Sequence, residues 1–178
     1  MNPIALITGA AGGLGQSLAA KLTEAGWQLI VTSRDAQRLR DAYGNQHLQI
    51  AADCATPEGA RQIIEAANAQ GLVPQALAHC AGNIRLGALH RMGEQEFRET
   101  LDANLVSAFH TLAAFIGNLR QHNLPGSAVL VSSVAAQIGT PNHEAVAAAK
   151  AGVEGLARGA AATYAPYGIR VNVVAPGI

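Results

Sequence analysis

The chain has 178 residues, of which 49% are hydrophobic, 4% are aromatic and 13% are charged. This length suits one ordinary domain with a buried core, and the interspersed charges, which sum to zero, argue against a surface for nucleic acid or anionic lipid. No apolar run approaches the roughly 20 residues of a membrane span, and the N-terminus lacks the basic region of a signal peptide. The two cysteines, Cys54 and Cys80, have neither metal-ligand spacing nor a disulfide framework. We therefore expect a cytoplasmic protein with no metal site.

Short aliphatic runs alternate with helical patterns along the chain. The predicted strands are Ile4–Thr8, Leu29–Ser33, Leu48–Ala52, Ala76–Cys80, Ala128–Ser133 and Ile169–Val174. The predicted helices are Leu14–Ala25, Ala36–Tyr43, Pro57–Ala69, Glu94–Arg120 and Asn142–Tyr164. Strands that alternate with helices pair in parallel through right-handed crossovers. The sequence therefore predicts an α/β fold, a Rossmann-type doubly wound parallel sheet with helices on both faces, in one domain over residues 1–178.

The first strand leads directly into a glycine-rich turn, Thr8-Gly9-Ala10-Ala11-Gly12-Gly13-Leu14-Gly15, and a helix follows. Glycines let the backbone approach a pyrophosphate, and a helix N-terminus offers free N–H groups and a positive dipole end to phosphates. The alternative is an ordinary tight turn, but the position between first strand and first helix is the one that dinucleotide binding requires. The residues predicted to hold a dinucleotide here are Gly9, Ala11, Gly12, Gly13, Leu14 and Gly15.

The spacing of this turn resembles that of the short-chain dehydrogenase/reductase family, and the resemblance extends over the whole chain. It implies that Asp53, next to Cys54 after the third strand, lies against the adenine of a dinucleotide. Cys80-Ala81-Gly82 corresponds to the family's Asn-Ala-Gly turn, with cysteine in place of asparagine. Tyr167-Gly168-Ile169-Arg170-Val171-Asn172 and Pro176-Gly177 correspond to its sixth strand and the turn that follows. We therefore add Asp53, Cys54, Cys80, Ala81, Gly82, Pro176 and Gly177 to the predicted cofactor-binding residues.

The same resemblance implies three catalytic residues, Asn104, Ser133 and Lys150. In the family, the serine binds the substrate oxygen, the asparagine organises a water-linked proton path, and the lysine holds the nicotinamide ribose. Ser133 is predicted to end the fifth strand, and Lys150 follows it at the family's distance of seventeen residues. Lys150 is therefore predicted both to bind the cofactor and to support catalysis.

The family's catalytic tyrosine is missing, because Val146 stands four residues before Lys150. A valine cannot transfer a proton, and Tyr164 and Tyr167 are better explained as packing at a helix end. Two alternatives remain open. His143, or a water held by Ser133 and Lys150, supplies the proton, or the protein binds its cofactor without turnover. For His143, an ordinary solvent-facing position in the first turn of the helix is the simpler interpretation.

The choice between the two nicotinamide dinucleotides is made after the second strand, at Ser33-Arg34-Asp35. An acidic residue there favours the free 2′-hydroxyl of NAD, whereas an arginine binds the 2′-phosphate of NADP. Ser33 stands where NAD-preferring relatives carry the acid, and Arg34 is placed to bind a phosphate. Asp35 is alternatively a helix N-cap. We expect NADP(H) to be preferred, with NAD(H) possible.

These features predict an NAD(P)-dependent oxidoreductase that reduces a small carbonyl compound or oxidises a secondary alcohol. The alternative from another class is a catalytically silent NADP(H)-binding protein, a sensor or structural partner. An adenosylmethionine-dependent methyltransferase is a remote third hypothesis. The small-residue surface of the last helix, together with the resemblance, predicts a homodimer or homotetramer, with no nucleic-acid or membrane partner. The Pro-Gly pair at the end of the sequence leads us to expect a further segment that encloses the substrate.

Overall fold

The computed structural model describes residues 2–177 and forms one six-stranded parallel sheet with the strand order β3-β2-β1-β4-β5-β6. Its strands are β1 (Ile4–Thr8), β2 (Gln28–Ser33), β3 (Leu48–Ala51), β4 (Ala76–His79), β5 (Gly126–Val131) and β6 (Ile169–Val174). Its helices are α1 (Gly13–Glu24), α2 (Ala36–Tyr43), α3 (Pro57–Ala69), α4 (Glu94–Leu101), α5 (Ser107–His122) and α6 (Glu144–Tyr164). The chain order reverses between β1 and β4. The predicted doubly wound α/β fold is confirmed.

The central strands are buried on both faces, and alternate residues serve different cores. Leu6 of β1 and Ile30 of β2 pack with α3, α5 and α6 on one face. Ile7 and Leu29 pack with α1 and α2 on the other. Because β1 is covered twice, it needs the continuous apolar run that the sequence shows. Within residues 2–177, no helix combines the length and apolar character needed to cross a membrane.

The long helix predicted at Glu94–Arg120 is interrupted, and this prediction is corrected. A π-helical turn at Asp102–Val106 separates α4 from α5, where the backbone N–H of Ser107 donates to Asp102 O, five residues earlier. Side chains compete for the backbone around this turn, since Asn104 Nδ2 donates to Thr100 O and Ser107 Oγ donates to Ala103 O. The widened turn buries Asn104, which is 1% exposed.

The fifth strand begins two residues earlier than predicted and ends two residues earlier. Gly126 and Ser127 have low strand propensity, yet they belong to β5 because they pair in register with Ile169 and Arg170 of β6. Ser133 therefore does not end the strand. It caps a 3₁₀ turn at Val134–Ala136, where its Oγ accepts a hydrogen bond from the backbone N–H of Ala135.

Candidate active site

A cleft of about 430 Å³ opens where the carboxyl ends of the strands meet the loops that follow them. This is the edge at which open parallel sheets bind ligands, next to the reversal of strand order. The predicted cofactor residues that line the cleft are Gly9, Ala11, Gly12, Ser33, Arg34, Asp53, Cys54, Cys80, Ala81 and Gly82. The other predicted cofactor residues, which lie outside its lining, are Gly13, Leu14, Gly15, Lys150, Pro176 and Gly177.

The glycine-rich turn is packed too closely for larger residues at two positions. Gly9 has φ +62°, and a Cβ there would lie 2.6 Å from the backbone nitrogen of Ala81. A Cβ at Gly15 would lie 2.6 Å from Gly9 O. Gly15 therefore brings α1 against the turn, whereas Gly13 and Leu14 are exposed in the first turn of α1. The turn directs the N-terminus of α1, capped at Gly12, toward the cleft.

Two guanidinium groups stand at the cleft wall that follows β2. Arg34 is exposed and has no ion-pair partner among residues 2–177. Arg38, which the sequence analysis missed, also lines the cleft and donates to Ala11 O over 3.2 Å. Asp35 caps α2, because its carboxylate accepts from the backbone N–H groups of Gln37 and Arg38. Arg38 lies in the first turn of α2, four residues after Arg34, and a second arginine so soon after the end of β2 was the signal that could have identified it.

Asp53 and Thr32 add an acceptor and an unsatisfied hydroxyl to the lining residues. Asp53 Oδ1 accepts from the backbone N–H of Ala55 over 3.0 Å and keeps its other oxygen for a ligand. Thr32 is one of the lining residues, and its Oγ1 is buried and has no hydrogen-bond partner among the described residues. A cradle closed to side chains, an unsatisfied buried hydroxyl and two guanidinium groups together fit an adenine dinucleotide.

Asn104 and Lys150 both approach Gly82, one of the residues that line the cleft. A Cβ at Gly82 would lie 2.6 Å from Asn104 Oδ1 and 3.4 Å from Lys150 Nζ, so both polar groups approach the side of this residue that a side chain would occupy. Asn104 is oriented by Asn83, whose Oδ1 accepts from Asn104 Nδ2 over 3.0 Å. Lys150 Nζ donates to Val131 O over 2.8 Å, which ties the lysine to the end of β5.

Comparison with known proteins shows to which family the chain belongs. The family model for short-chain dehydrogenases matches residues 3–178. A 3-oxoacyl-[acyl-carrier-protein] reductase of Staphylococcus aureus is 34% identical over 185 residues, covering 99% of this chain and 74% of the relative. This chain belongs to the short-chain dehydrogenase/reductase family. The family uses NAD(P)(H) and acts on small molecules.

Solved structures of the family have the same fold. A short-chain type dehydrogenase/reductase of Mycobacterium marinum superposes with a TM-score of 0.93 at 28% identity, covering 98% of this chain and 72% of the other. A short-chain dehydrogenase of Streptomyces avermitilis gives a TM-score of 0.91 at 28% identity, and this chain spans 66% of its length.

Val146 stands at the position that the resemblance assigned to the catalytic tyrosine. Val146 is 3% exposed and belongs neither to the cleft lining nor to the two hydrophobic clusters of the sheet faces. The tyrosines lie elsewhere: Tyr43 donates to Ala10 O, and Tyr164 and Tyr167 lie near the end of α6 with tilted rings whose centroids are 6.5 Å apart. Arg120 covers the ring of Tyr167 at 3.4 Å, which supports the predicted packing role.

The other polar groups predicted from the sequence, Ser133 and His143, and the Pro176-Gly177 turn are held by hydrogen bonds near the ends of β5 and α6. Ser133 Oγ accepts from Ala135, so its hydroxyl proton stays available for a substrate oxygen. Pro176 O accepts from the backbone N–H of Val134, which places the Pro176-Gly177 turn beside Ser133. His143 precedes α6, and its Nδ1 lies 2.8 Å from Pro141 O, so this nitrogen carries the proton and donates.

Burial changes the pKa values of two groups beside Gly82, the thiol of Cys80 and the amine of Lys150. Burial raises the pKa of the Cys80 thiol to about 11, and the nearby positive charge of Lys150 opposes this rise. Burial also lowers the pKa of Lys150. Cys80 is therefore an uncharged thiol at neutral pH, and it gives Lys150 no carboxylate or thiolate partner.

Proposed function

We propose that this chain is an NADP(H)-dependent oxidoreductase that reduces a small carbonyl compound or oxidises a secondary alcohol. The observation that carries the proposal is the placement of Asn104 and Lys150 beside Gly82, which lines a cleft that fits a dinucleotide. We further propose that residues 1–178 act as one dinucleotide-binding domain in the cytoplasm.

The proposed cofactor would lie along the cleft, with its pyrophosphate at the glycine-rich turn and its adenine near Asp53. Arg34 and Arg38 would bind the 2′-phosphate, which is why NADP(H) is favoured over NAD(H). When bound, this cofactor supplies a hydride to the carbonyl carbon or removes one from the alcohol. Of the three N–H donors of Lys150, one is used on Val131 O, which leaves others for the ribose hydroxyls.

The protein's own groups would hold the substrate oxygen and control its proton. Ser133 would donate its free hydroxyl proton as a hydrogen bond to that oxygen, and the charge of Lys150 would stabilise negative charge that develops on it. With valine at position 146, the proton itself would come from water or from His143. We expect proton transfer to be slower than with a positioned phenol.

The test is NADPH consumption with a panel of ketones and aldehydes, with Lys150→Ala as the inactive control. We expect slow, substrate-dependent oxidation of NADPH that the control lacks. The result against oxidoreductase activity would be tight NADPH binding without turnover of any carbonyl. That outcome would favour the second candidate, a catalytically silent NADP(H)-binding protein, which the absence of a phenol beside Lys150 supports.

A further inference from the structure

A buried histidine connects the turns that surround the proposed site. His79 ends β4 and is 2% exposed. Its Nδ1 lies 2.8 Å from Oγ1 of Thr8, the last residue of β1 and the first of the glycine-rich turn. Its Nε2 lies 3.1 Å from Oγ of Ser107, the first residue after the π-helical turn that carries Asn104. One imidazole thus bridges β1 and α5.

The hydrogen bonds around His79 have one consistent direction. Ser107 Oγ donates its single proton to Ala103 O over 2.8 Å, and a carbonyl oxygen can act here only as acceptor. Ser107 must therefore accept from the imidazole, so Nε2 carries the proton. In a neutral ring Nδ1 is then the acceptor, and Thr8 donates to it.

The surroundings keep this ring uncharged. Burial, together with the nearby charge of Lys150, lowers the pKa of His79 to about 3. The relay Thr8–His79–Ser107–Ala103 therefore stays intact at neutral pH. Its last two members, Ala103 and Ser107, also line the cleft.

We propose that His79 is a positioning residue, which in its Nε2–H tautomer fixes the π-helical turn of Asn104 against the glycine-rich turn. Asn104 lies directly after Ala103, whose carbonyl the relay holds. Without the imidazole N–H, the Ser107 hydroxyl would lose the donor that orients it, so its hydrogen bond to this carbonyl would weaken and the turn would relax toward an ordinary helix. Asn104 and the cleft wall would then move together.

The tautomer is tested first, by nitrogen NMR of the imidazole in the unmodified protein. We expect a protonated Nε2 and an unprotonated Nδ1, unchanged from about pH 5 to about pH 8, because the ring does not titrate in that range. Protonation of Nδ1 instead, or titration near neutral pH, would overturn the proposal. This readout does not depend on cofactor binding, so it stands apart from any failure of the proposed function.

The coupling to the cleft is tested with matched variants, and this part rests on the proposed function. His79→Gln keeps a donor toward Ser107, whereas His79→Asn keeps only an acceptor toward Thr8. We expect NADPH affinity to fall about tenfold in His79→Asn and in Ser107→Ala, and within about twofold of the parent in His79→Gln. The double variant His79→Asn/Ser107→Ala should be no weaker than either single variant.

A purely structural role gives a different pattern. If His79 only fills space, His79→Leu should bind NADPH as well as His79→Gln, and the effects of His79→Asn and Ser107→Ala should add. The side-chain amide resonances of Asn104 should move in His79→Asn and stay in place in His79→Gln. Unmoved Asn104 resonances in His79→Asn would overturn the proposal even if NADPH does not bind.

Discussion

Val146 is the residue that most limits the proposed chemistry. It lies on α6 one helical turn before Lys150, and both side chains are buried. This part of α6 therefore retains the cation that would lower the pKa of a phenol, but position 146 carries no phenol. The hydrogen bonds of Asn104 to Asn83 and of Lys150 to Val131 are nevertheless formed.

Val146→Tyr should raise NADPH-dependent carbonyl reduction. A positioned general acid is worth roughly 10²–10⁴-fold, so we expect kcat to rise within that range. Because position 146 is buried, the added volume should cost about 1–3 kcal/mol of stability. Val146→Phe is the matched control, since it adds similar bulk without a hydroxyl, and it should not raise kcat. Equal rates for the two variants would show that the phenol is not what the site lacks.

Arg34 and Arg38 should differ in how they affect the two cofactors. A charge-assisted hydrogen bond is worth about 1.5–3 kcal/mol, so Arg34→Ala should weaken NADPH binding by about tenfold or more and leave NADH unchanged. Arg38→Ala should weaken both, because it also releases Ala11 O in the glycine-rich turn. Arg40→Ala is the control, because Arg40 lies on α2 with Arg38 but outside the cleft lining. Fluorescence titration measures these affinities, and equal losses for NADPH and NADH in Arg34→Ala would contradict its role at the 2′-phosphate.

Among the structural elements, the glycine-rich turn places α1 against the cleft. Gly15→Ala should lower the free energy of unfolding by about 1–3 kcal/mol or more, since its Cβ would meet the backbone of Gly9 and Ala10. Gly13→Ala is the matched control, because a Cβ there meets nothing within 4 Å. Alanine is also favoured over glycine in a helix by up to about 1 kcal/mol, so Gly13→Ala should not lower the stability. Chemical denaturation without cofactor measures both, and equal stability of the two variants would contradict the close packing of the turn.

The elements differ in how readily they follow from sequence. The apolar run of β1 and the caps of α2 and α3 are set by residues that are close in sequence. The bounds of these three elements were therefore predicted correctly. The start of β5 depends on its pairing with β6, which no local propensity of Gly126 or Ser127 reveals. The π-helical turn arises from side chains that compete for backbone groups, and the position of Arg38 depends on how α2 meets the cleft. Both are tertiary effects, so the residue pattern alone did not predict them.

At the scale of the whole molecule, α6 presents a stripe of small exposed residues that includes Ala148, Ala151, Gly155, Gly159 and Ala162. Such a surface allows close helix packing, and we expect it to form an isologous contact in a homodimer or homotetramer. Light scattering should show Ala151→Arg as a smaller species than the parent. Ala20→Arg, at an exposed position of α1, should keep the parent's size. A monomeric parent at micromolar concentration would contradict the predicted assembly.

The central claim is that the cleft binds a nicotinamide dinucleotide and prefers NADP(H). Calorimetric titration of the unmodified protein with NADPH, and separately with NADH, tests it most directly. We expect saturable binding of one NADPH per chain, with NADH bound about tenfold or more weakly because it lacks the 2′-phosphate. No detectable binding of either dinucleotide, or equal affinity for both, would contradict it.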